Sequence, residues 1–453
     1  MDVDVQGPDL VVGSASLYSL LPATYRPIVL FCIGLWGWAL NLYILQRCHI
    51  DTASLLGISH NDKSRNIYTP LFNIATLLTT IVAINLWAFW KFVLGAVTST
   101  NVTRSWLPLM CYVLCSLIVF WPGHIFYYKE RHRFSRSVLR IFSFNVFATV
   151  YFSDVVLADI MTSFANVFGD LWATGCALIV NKGIVDYLVV EHQSGCYRDI
   201  MGPVMTSLPY IIRFKQCIFE YLESDRKTQR HLLNACKYAS AFPVIMLSAT
   251  QKIAAKRIDE FGDLPDSWWI GDTGLFRLWM FFVFINSTYS FIWDVSMDWN
   301  LVSLTFTASD SVGQANGIAS HSPRRSTTPI PTSLFREIKV FISSLFSPTV
   351  HQPPLLRFRR HLHFSHRILY VGAMLIDFLL RTTWSLKLSS HLSIKQLEGS
   401  IIIMEFFEIF RRWIWVFFRL ESEWVKRSQV VLPRTNEDME EFELMVPKDG
   451  NHD

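Results

Sequence analysis

The stretch LWMFFVFINSTYSFIWDVSMDWNL, residues 278–301, decides the fold. It is long enough to cross a bilayer as one helix, which takes about 20 mainly apolar residues. Yet it closes on two aspartates, Asp294 and Asp298. Four residues apart, they share one face of a helix. A charge at the centre of a spanning helix costs about 2.5–3.5 kcal/mol on insertion scales, so such a side chain faces the bundle interior and a partner. The stretch therefore predicts several apolar helices around an interior that carries charge.

The remaining sequence has the same character. Of 453 residues, 51% are hydrophobic and 17% charged, against about a quarter charged in soluble domains. Apolar runs fall near 28–46, 70–95, 106–128, 149–179, 203–222, 233–251, 277–301, 367–389 and 399–419. They predict an all-α polytopic transmembrane bundle of about nine spans, or ten if 141–190 holds two passes. A net charge of +4 offers no footing for nucleic acid. The acidic start MDVDVQGPDL lacks the basic region of a signal peptide, so the first apolar run is expected to stay as an anchor. The eight cysteines show no metal-ligand spacing and read as small hydrophobes, with a Cys176–Cys196 bridge as the one disulfide weighed.

Lys and Arg set the orientation. The loop YKERHRFSRSVLR, ending at Arg140, is the most basic short connection. With nine spans it shares a side with 47–69, 223–232, 302–366 and the C-terminal tail. Positive loops face the cytosol, which places the N-terminus in the lumen and the C-terminus in the cytosol. The sequon Asn101-Val102-Thr103 then lies on the luminal side. The expected divisions are a luminal N-terminus (1–27), N-terminal helices (28–128), a first core part (129–301), a Ser/Pro-rich and basic cytosolic insertion (302–366), two last helices (367–424) and an acidic cytosolic tail (425–453). Within the insertion, 303–335 has a disordered composition. Leu355 to Arg367 is basic and aromatic, suited either to anionic headgroups of membrane lipids or to an ordinary basic flank.

Charges recur inside the apolar runs: Asp154 and Asp159; Arg213 and Lys215; Lys237 beside Tyr238; Asp294 and Asp298; Asp377 and Arg381, with Trp384 after them; Glu405, Glu408, Arg411 and Arg412, then Arg419 and Glu421. Structural pairing accounts for some, for instance Asp294 and Asp298 with Arg411 and Arg412. Isolated buried pairs rarely repay their desolvation, so this many points to a hydrated path. Arg forks bind tetrahedral oxyanions and Lys supplies a point charge. Arg381, Arg411, Arg412 and Lys237 around one cavity would make an anion site, with carboxylates orienting the guanidiniums and keeping binding weak enough for release.

These stretches are also ordered blocks that resemble the EXS-domain family. FSDVVLADIMTS is similar to F-A-D-x-x-L-A-D-Q-x-x-S. RFKQCIFEYLES with HLLNACKYAS resembles R-F-x-Q-C-x-R-x-Y…L-x-N-x-x-K-Y. YSFIWDVSMDWNL resembles Y-T-x-x-W-D-x-x-M-D-W-G-L, and FEIFRRWIWVFFRLESE resembles E-x-x-R-R-x-x-W-N-x-F-R-x-E-N-E. The departures are Ile160 for Gln, Phe219-Glu220 in the basic stretch after the cysteine, and Asn300 for Gly. The resemblance implies an all-helical exporter of inorganic phosphate. Its pathway would include Asp159, Lys237, Tyr238, Asp294, Asp298, Arg381, Trp384, Glu408, Arg411 and Arg412, with a cytosolic-side basic residue at Arg226–Lys227.

The family's plasma-membrane exporters carry an N-terminal SPX domain, and only about 27 residues precede the first span here. The short architecture resembles the family's Golgi, ER-retention-defective members, with residence in the ER membrane left open. It implies return of luminal phosphate from glycosylation to the cytosol, in support of glycosylation and of retention of ER luminal proteins. The expected partners are phosphate and membrane lipids, with a cytosolic sorting adaptor at the tail and a homodimer left open. No cofactor is expected, and the leading reading is not an enzyme. Two others stay open: a non-transporting sorting receptor, and a Mg²⁺-dependent intramembrane transferase built on Asp294-x3-Asp298 and Asp154-x4-Asp159.

Overall fold

The fold is taken from a computed structural model, which describes residues 21–58, 66–95, 106–143, 149–180, 198–223, 229–261, 271–303, 357–359, 361–382 and 397–431. The helices are α1 (Arg26–Arg47), the short α2 (Thr52–Leu55), α3 (Tyr68–Gly95), α4 (Trp106–Phe120), α5 (Tyr128–Phe142), α6 (Phe152–Ser163) and α7 (Ala165–Val180). They continue with α8 (Arg198–Glu223), α9 (Gln229–Ala239), α10 (Ala241–Phe261), α11 (Asp272–Trp293), α12 (Arg367–Thr382) and α13 (Leu397–Val431). The protein is all-α, with one antiparallel pairing among the described residues, β1 (Val302–Ser303) with β2 (Arg357–Phe358).

Each expected span overlaps one helix or two consecutive ones, although 121–127 of the third is not helical and 383–389 of the eighth lies outside the described residues. Among the described residues, four stretches are long and apolar enough to cross a membrane unaided: Ala23–Arg47, Tyr68–Phe92, Gln229–Ile258 and Thr273–Asp298. A fifth, α6 with the start of α7, is bent by 66°. The described parts of α4 and α12 are short, and α8 and α13 carry the charges discussed below. Large apolar side chains such as Trp87, Phe92, Phe284 and Leu379 face outward, each more than 60% exposed. In a soluble protein such surface would be a liability; here it suits contact with lipid tails.

Two apolar cores organise the bundle. One joins α1, α3 and α4 through Ile28, Cys32, Leu78, Val82, Cys111 and Cys115. The other gathers Trp299, Tyr370, Trp415, Val416 and Leu420. Helix α1 packs on both α3 and α13 and so links them.

The turn from α4 to α5 is held by Arg131, which is 5% exposed. Its Nε donates to Phe126 O at 2.7 Å, and its Nη atoms donate to the carbonyls of Ile118, Trp121, Gly123 and Ile125. Phe126 and Tyr127 have φ of 51° and 52°, a left-handed conformation unusual for aromatic residues. Arg131 satisfies the carbonyls that this turn leaves open.

Two sequence expectations are refined. Within Leu355–Arg367, His361, Ser365, His366 and Arg367 are exposed, as a surface flank requires, while other residues turn inward. Arg357–Phe358 pairs with Val302–Ser303, Arg359 is buried against Glu421, and His363 Nε2 lies 2.8 Å from Cys48 O. A buried carboxylate claims the arginine more strongly than headgroups at the surface would. Cys176 is disulfide-bonded rather than a simple hydrophobe, whereas Cys32, Cys111, Cys115 and Cys217 are free and buried. The other end of the bridge weighed above, Cys196, lies outside the described residues, as do Trp384, the Asn101 sequon, Arg226–Lys227 and residues 432–453.

Candidate functional site

At the end of α11 the backbone passes into a π-helical turn, Asp294–Asp298, closed by Trp299 N donating to Asp294 O at 2.8 Å. Such single π-turns are rare and cluster at functional sites. Asn300 then takes φ 50°, and Leu301 N returns to Val295 O at 3.0 Å. A left-handed residue is needed there, and Asn tolerates that region better than any residue with a bulkier side chain. The Asn-for-Gly departure is thereby explained.

The turn presents both aspartates to one lysine. Lys237 Nζ, from α9, lies 3.0 Å from Asp294 Oδ1 and 3.5 Å from Asp298 Oδ2. Arg381, from α12, pairs with Asp294 Oδ2 and lies 3.0 Å from Asp377 Oδ2. Arg411 Nη1, from α13, is 3.6 Å from the same Asp294 oxygen and 3.2 Å from Asp377 Oδ1. Asp294, whose side chain is 0% exposed, thus faces three cations from three other helices. Sharing of this kind is a network, not a set of separate pairs, and removing one member strands the others.

A second group surrounds Asp159 at the end of α6. Arg213 Nε donates to Asp159 Oδ1 at 2.7 Å, and the Tyr238 hydroxyl donates to the same oxygen at 2.5 Å. The Arg213 guanidinium lies 5.0 Å from the Tyr238 ring centroid. Tyr238 follows Lys237 on α9, so one short helix joins both groups.

Arg412 behaves differently. Its Nε donates to Ser163 Oγ at 2.8 Å and its Nη2 to Thr162 Oγ1 at 3.0 Å. Its buried Nη1 has no hydrogen-bond partner among the described residues. Ser163 Oγ donates in turn to Glu408 Oε1 at 3.1 Å, and Glu408 also accepts from Arg411. The Glu408 side chain is 38% exposed, against 4% for Arg411 and 1% for Asp377. The two hydroxyls sit at the break between α6 and α7, where Phe164 ends one helix before Ala165 starts the next.

Of the ten pathway residues that the resemblance implies, nine are described. Lys237, Asp294, Asp298, Arg381 and Arg411 meet directly, with Glu408 joined through Arg411. Asp159 and Tyr238 form the second group, and Arg412 is reached through Ser163. The simple pairing of Asp294 and Asp298 with Arg411 and Arg412 holds only for Asp294 with Arg411. Neighbours not on that list include Arg213, Asp377, Arg419, Thr162 and Ser163. The first three carried a signal, as charges in or beside apolar runs. The hydroxyls carried little, since Ser and Thr are common in spanning helices.

Other intramembrane charges lie elsewhere. Asp154 pairs with Arg140 at 2.6 Å, and Lys215 Nζ donates to Ile141 O and Ser143 O at 2.7 Å each. Glu220, in the departure noted above, lies 3.1 Å from His231 across the α8–α9 connection.

Apolar helices closing around shared, buried charges define a multi-pass membrane protein with a polar interior. The chain belongs to the EXS family, whose pattern matches residues 21–425. Among its relatives, Protein ERD1 homolog 1 of Schizosaccharomyces pombe is 29% identical over 410 residues, covering 89% of this chain and 90% of the relative. The Xenotropic and polytropic retrovirus receptor 1 homolog of Xenopus laevis is 26% identical over 440 residues, 94% of this chain and 54% of that protein. Human Solute carrier family 53 member 1 is 25% identical over 451 residues, with the same coverage. This chain therefore corresponds to about half of the last two.

Proposed function

We propose that this protein carries inorganic phosphate across a membrane of the secretory pathway, and that the charges around Asp294 and Arg412 line its route. The observation that carries the reading is Arg412. A buried guanidinium bonded to two hydroxyls, with one Nη unpartnered among the described residues, keeps donors in place for an oxyanion. Glu408, joined to Ser163 and Arg411, would accept the proton of a hydrogen phosphate. The solute-carrier relative and the resemblance of the motif blocks to phosphate exporters point the same way.

The Golgi, with phosphate returned to the cytosol, suits the likeness to the ERD1 homologues. So does a luminal N-terminus, because the disulfide of Cys176 then falls on the oxidising side. The acidic tail, in the cytosol, would remain open to a sorting adaptor, and a homodimer is compatible with the outward apolar faces. The transferase reading is less favoured. The carboxylates it would need for Mg²⁺ are taken up by Lys237, Arg381, Arg213 and Arg140.

The test is phosphate flux in liposomes holding the purified chain. Saturable flux in the wild type, lost in a folded Arg411→Ala variant, is expected. Persisting flux in the variant would remove Arg411 from the route. No wild-type flux, with cargo sorting intact in cells, would favour the sorting receptor, and a Mg²⁺-dependent product from a lipid diphosphate would favour the enzyme.

A further inference from the structure

Next to the π-turn lies a further buried charge pair. Glu421, on α13, is 1% exposed. It accepts from Arg359 Nη2 at 2.5 and 2.8 Å, from the Tyr370 hydroxyl at 2.8 Å and from His363 N at 3.2 Å. Arg359 also grips the chain leaving the turn. Its backbone N donates to Leu301 O at 2.8 Å, and its Nη1 donates to Trp299 O at 3.3 Å. Trp299 closes the π-turn through its own N, and its indole Nε1 donates to Trp415 O at 3.2 Å. A continuous line of hydrogen bonds thus runs from Asp294 O through Trp299 and Arg359 to Glu421.

The same stretch of α13 meets the turn a second time. Arg419 Nη1 donates to Asp298 O at 3.4 Å, and its Nε lies 3.9 Å from Asp298 Oδ1. The turn is therefore tied to α13 on both sides of Trp299. A buried pair such as Arg359–Glu421 contributes little net stability compared with apolar residues of similar size. What it supplies here is direction: the planar fork fixes Trp299 O relative to Glu421, and with it the register of the five residues that aim both aspartates at Lys237.

We infer that Arg359 and Glu421 are positioning residues, which hold the π-turn so that Asp294 and Asp298 meet the cations of the phosphate route. This rests on the transport reading above. Neither residue is expected to touch phosphate; they act through the turn, as outer partners do for the ligands of a metal.

The test is a double variant, Arg359→Met with Glu421→Leu, which removes both charges together and leaves neither stranded. Thermal unfolding in detergent checks the fold, and flux in liposomes is measured over a range of phosphate concentrations. The expected result is a folded protein whose half-saturating phosphate concentration rises about tenfold, with Arg359→Lys falling between it and wild type. Should the double variant not fold, Tyr370→Phe removes one hydroxyl from Glu421 without exposing a charge, and a rise of about threefold is expected. A folded variant with the wild-type concentration dependence overturns the inference alone. Absence of flux from the wild type overturns the transport reading together with it.

Discussion

Arg412 meets Ser163, not a carboxylate: Nε donates to Oγ at 2.8 Å, and the residue makes no ion pair among the described residues. Its neighbour Arg411 is compensated by Glu408, Asp377 and Asp294. Of two adjacent guanidiniums on one helix, one is in direct contact with carboxylates and the other is held by hydroxyls, with its guanidinium 4.6 Å from the Trp415 ring centroid. A cation oriented without a directly bonded carboxylate is what a transient anion site requires, since binding must be favourable yet reversible.

That contrast gives the first prediction. Arg412→Lys keeps the charge and loses the fork that Ser163 and Thr162 orient. Phosphate flux should fall about tenfold at low phosphate, with little change in the unfolding midpoint. Flux equal to wild type would show that the fork plays no part.

Asp294 should dominate stability. Asp294→Ala leaves Lys237, Arg381 and Arg411 short of a partner in the bundle interior, at a cost of about 3–5 kcal/mol. Combining it with Lys237→Met should recover part of that loss. A thermodynamic cycle on the purified protein measures the coupling, and additive losses would mean that the two residues do not share a network.

Gly34 tests the helix break. A Cβ at this position of α1 would stand 2.5 Å from Phe164 Cζ. Gly34→Val must therefore push the ring that separates α6 from α7, at a cost of about 1–3 kcal/mol. Thr162 and Ser163 move with it, so flux should drop more than the melting point implies. Unchanged flux would uncouple the break from the route.

Lys426 makes stability depend on pH. Burial first, and then Arg419 and Arg230, push its ammonium down to about 8, with Glu423 and Asp298 opposing. The unfolded chain keeps that proton to about 10.4. Between these values the unfolded state holds more protons, so stability rises as pH climbs through the window. Lys426→Met should thus be more stable than wild type near neutral pH, with the difference shrinking toward pH ~10. A gap that does not vary with pH would contradict this placement of the lysine.

The fold was legible because apolar runs long enough to span are hard to mistake, and much of the site because a charge inside them stands out. Lys237, Asp294, Asp298, Arg381 and Arg411 needed only that signal. Ser163 did not announce itself, since nothing marks a hydroxyl beside a break made by Phe164 without Pro or Gly. Arg359 read as part of a basic, aromatic stretch suited to lipid headgroups or to an ordinary flank, because its partner Glu421 lies 62 residues further along the chain. The π-turn was also hidden: α-helical spacing already put the two aspartates on one face, and the wider turn shows only in the hydrogen bond from Trp299 to Asp294.

The central claim is that these charges hold an oxyanion. Binding of labelled phosphate to the purified chain in detergent, beside a folded Arg412→Met variant, tests it most directly. The account predicts one saturable component in the wild type that is lost in the variant. Equal binding by both proteins, or none by the wild type, would contradict it.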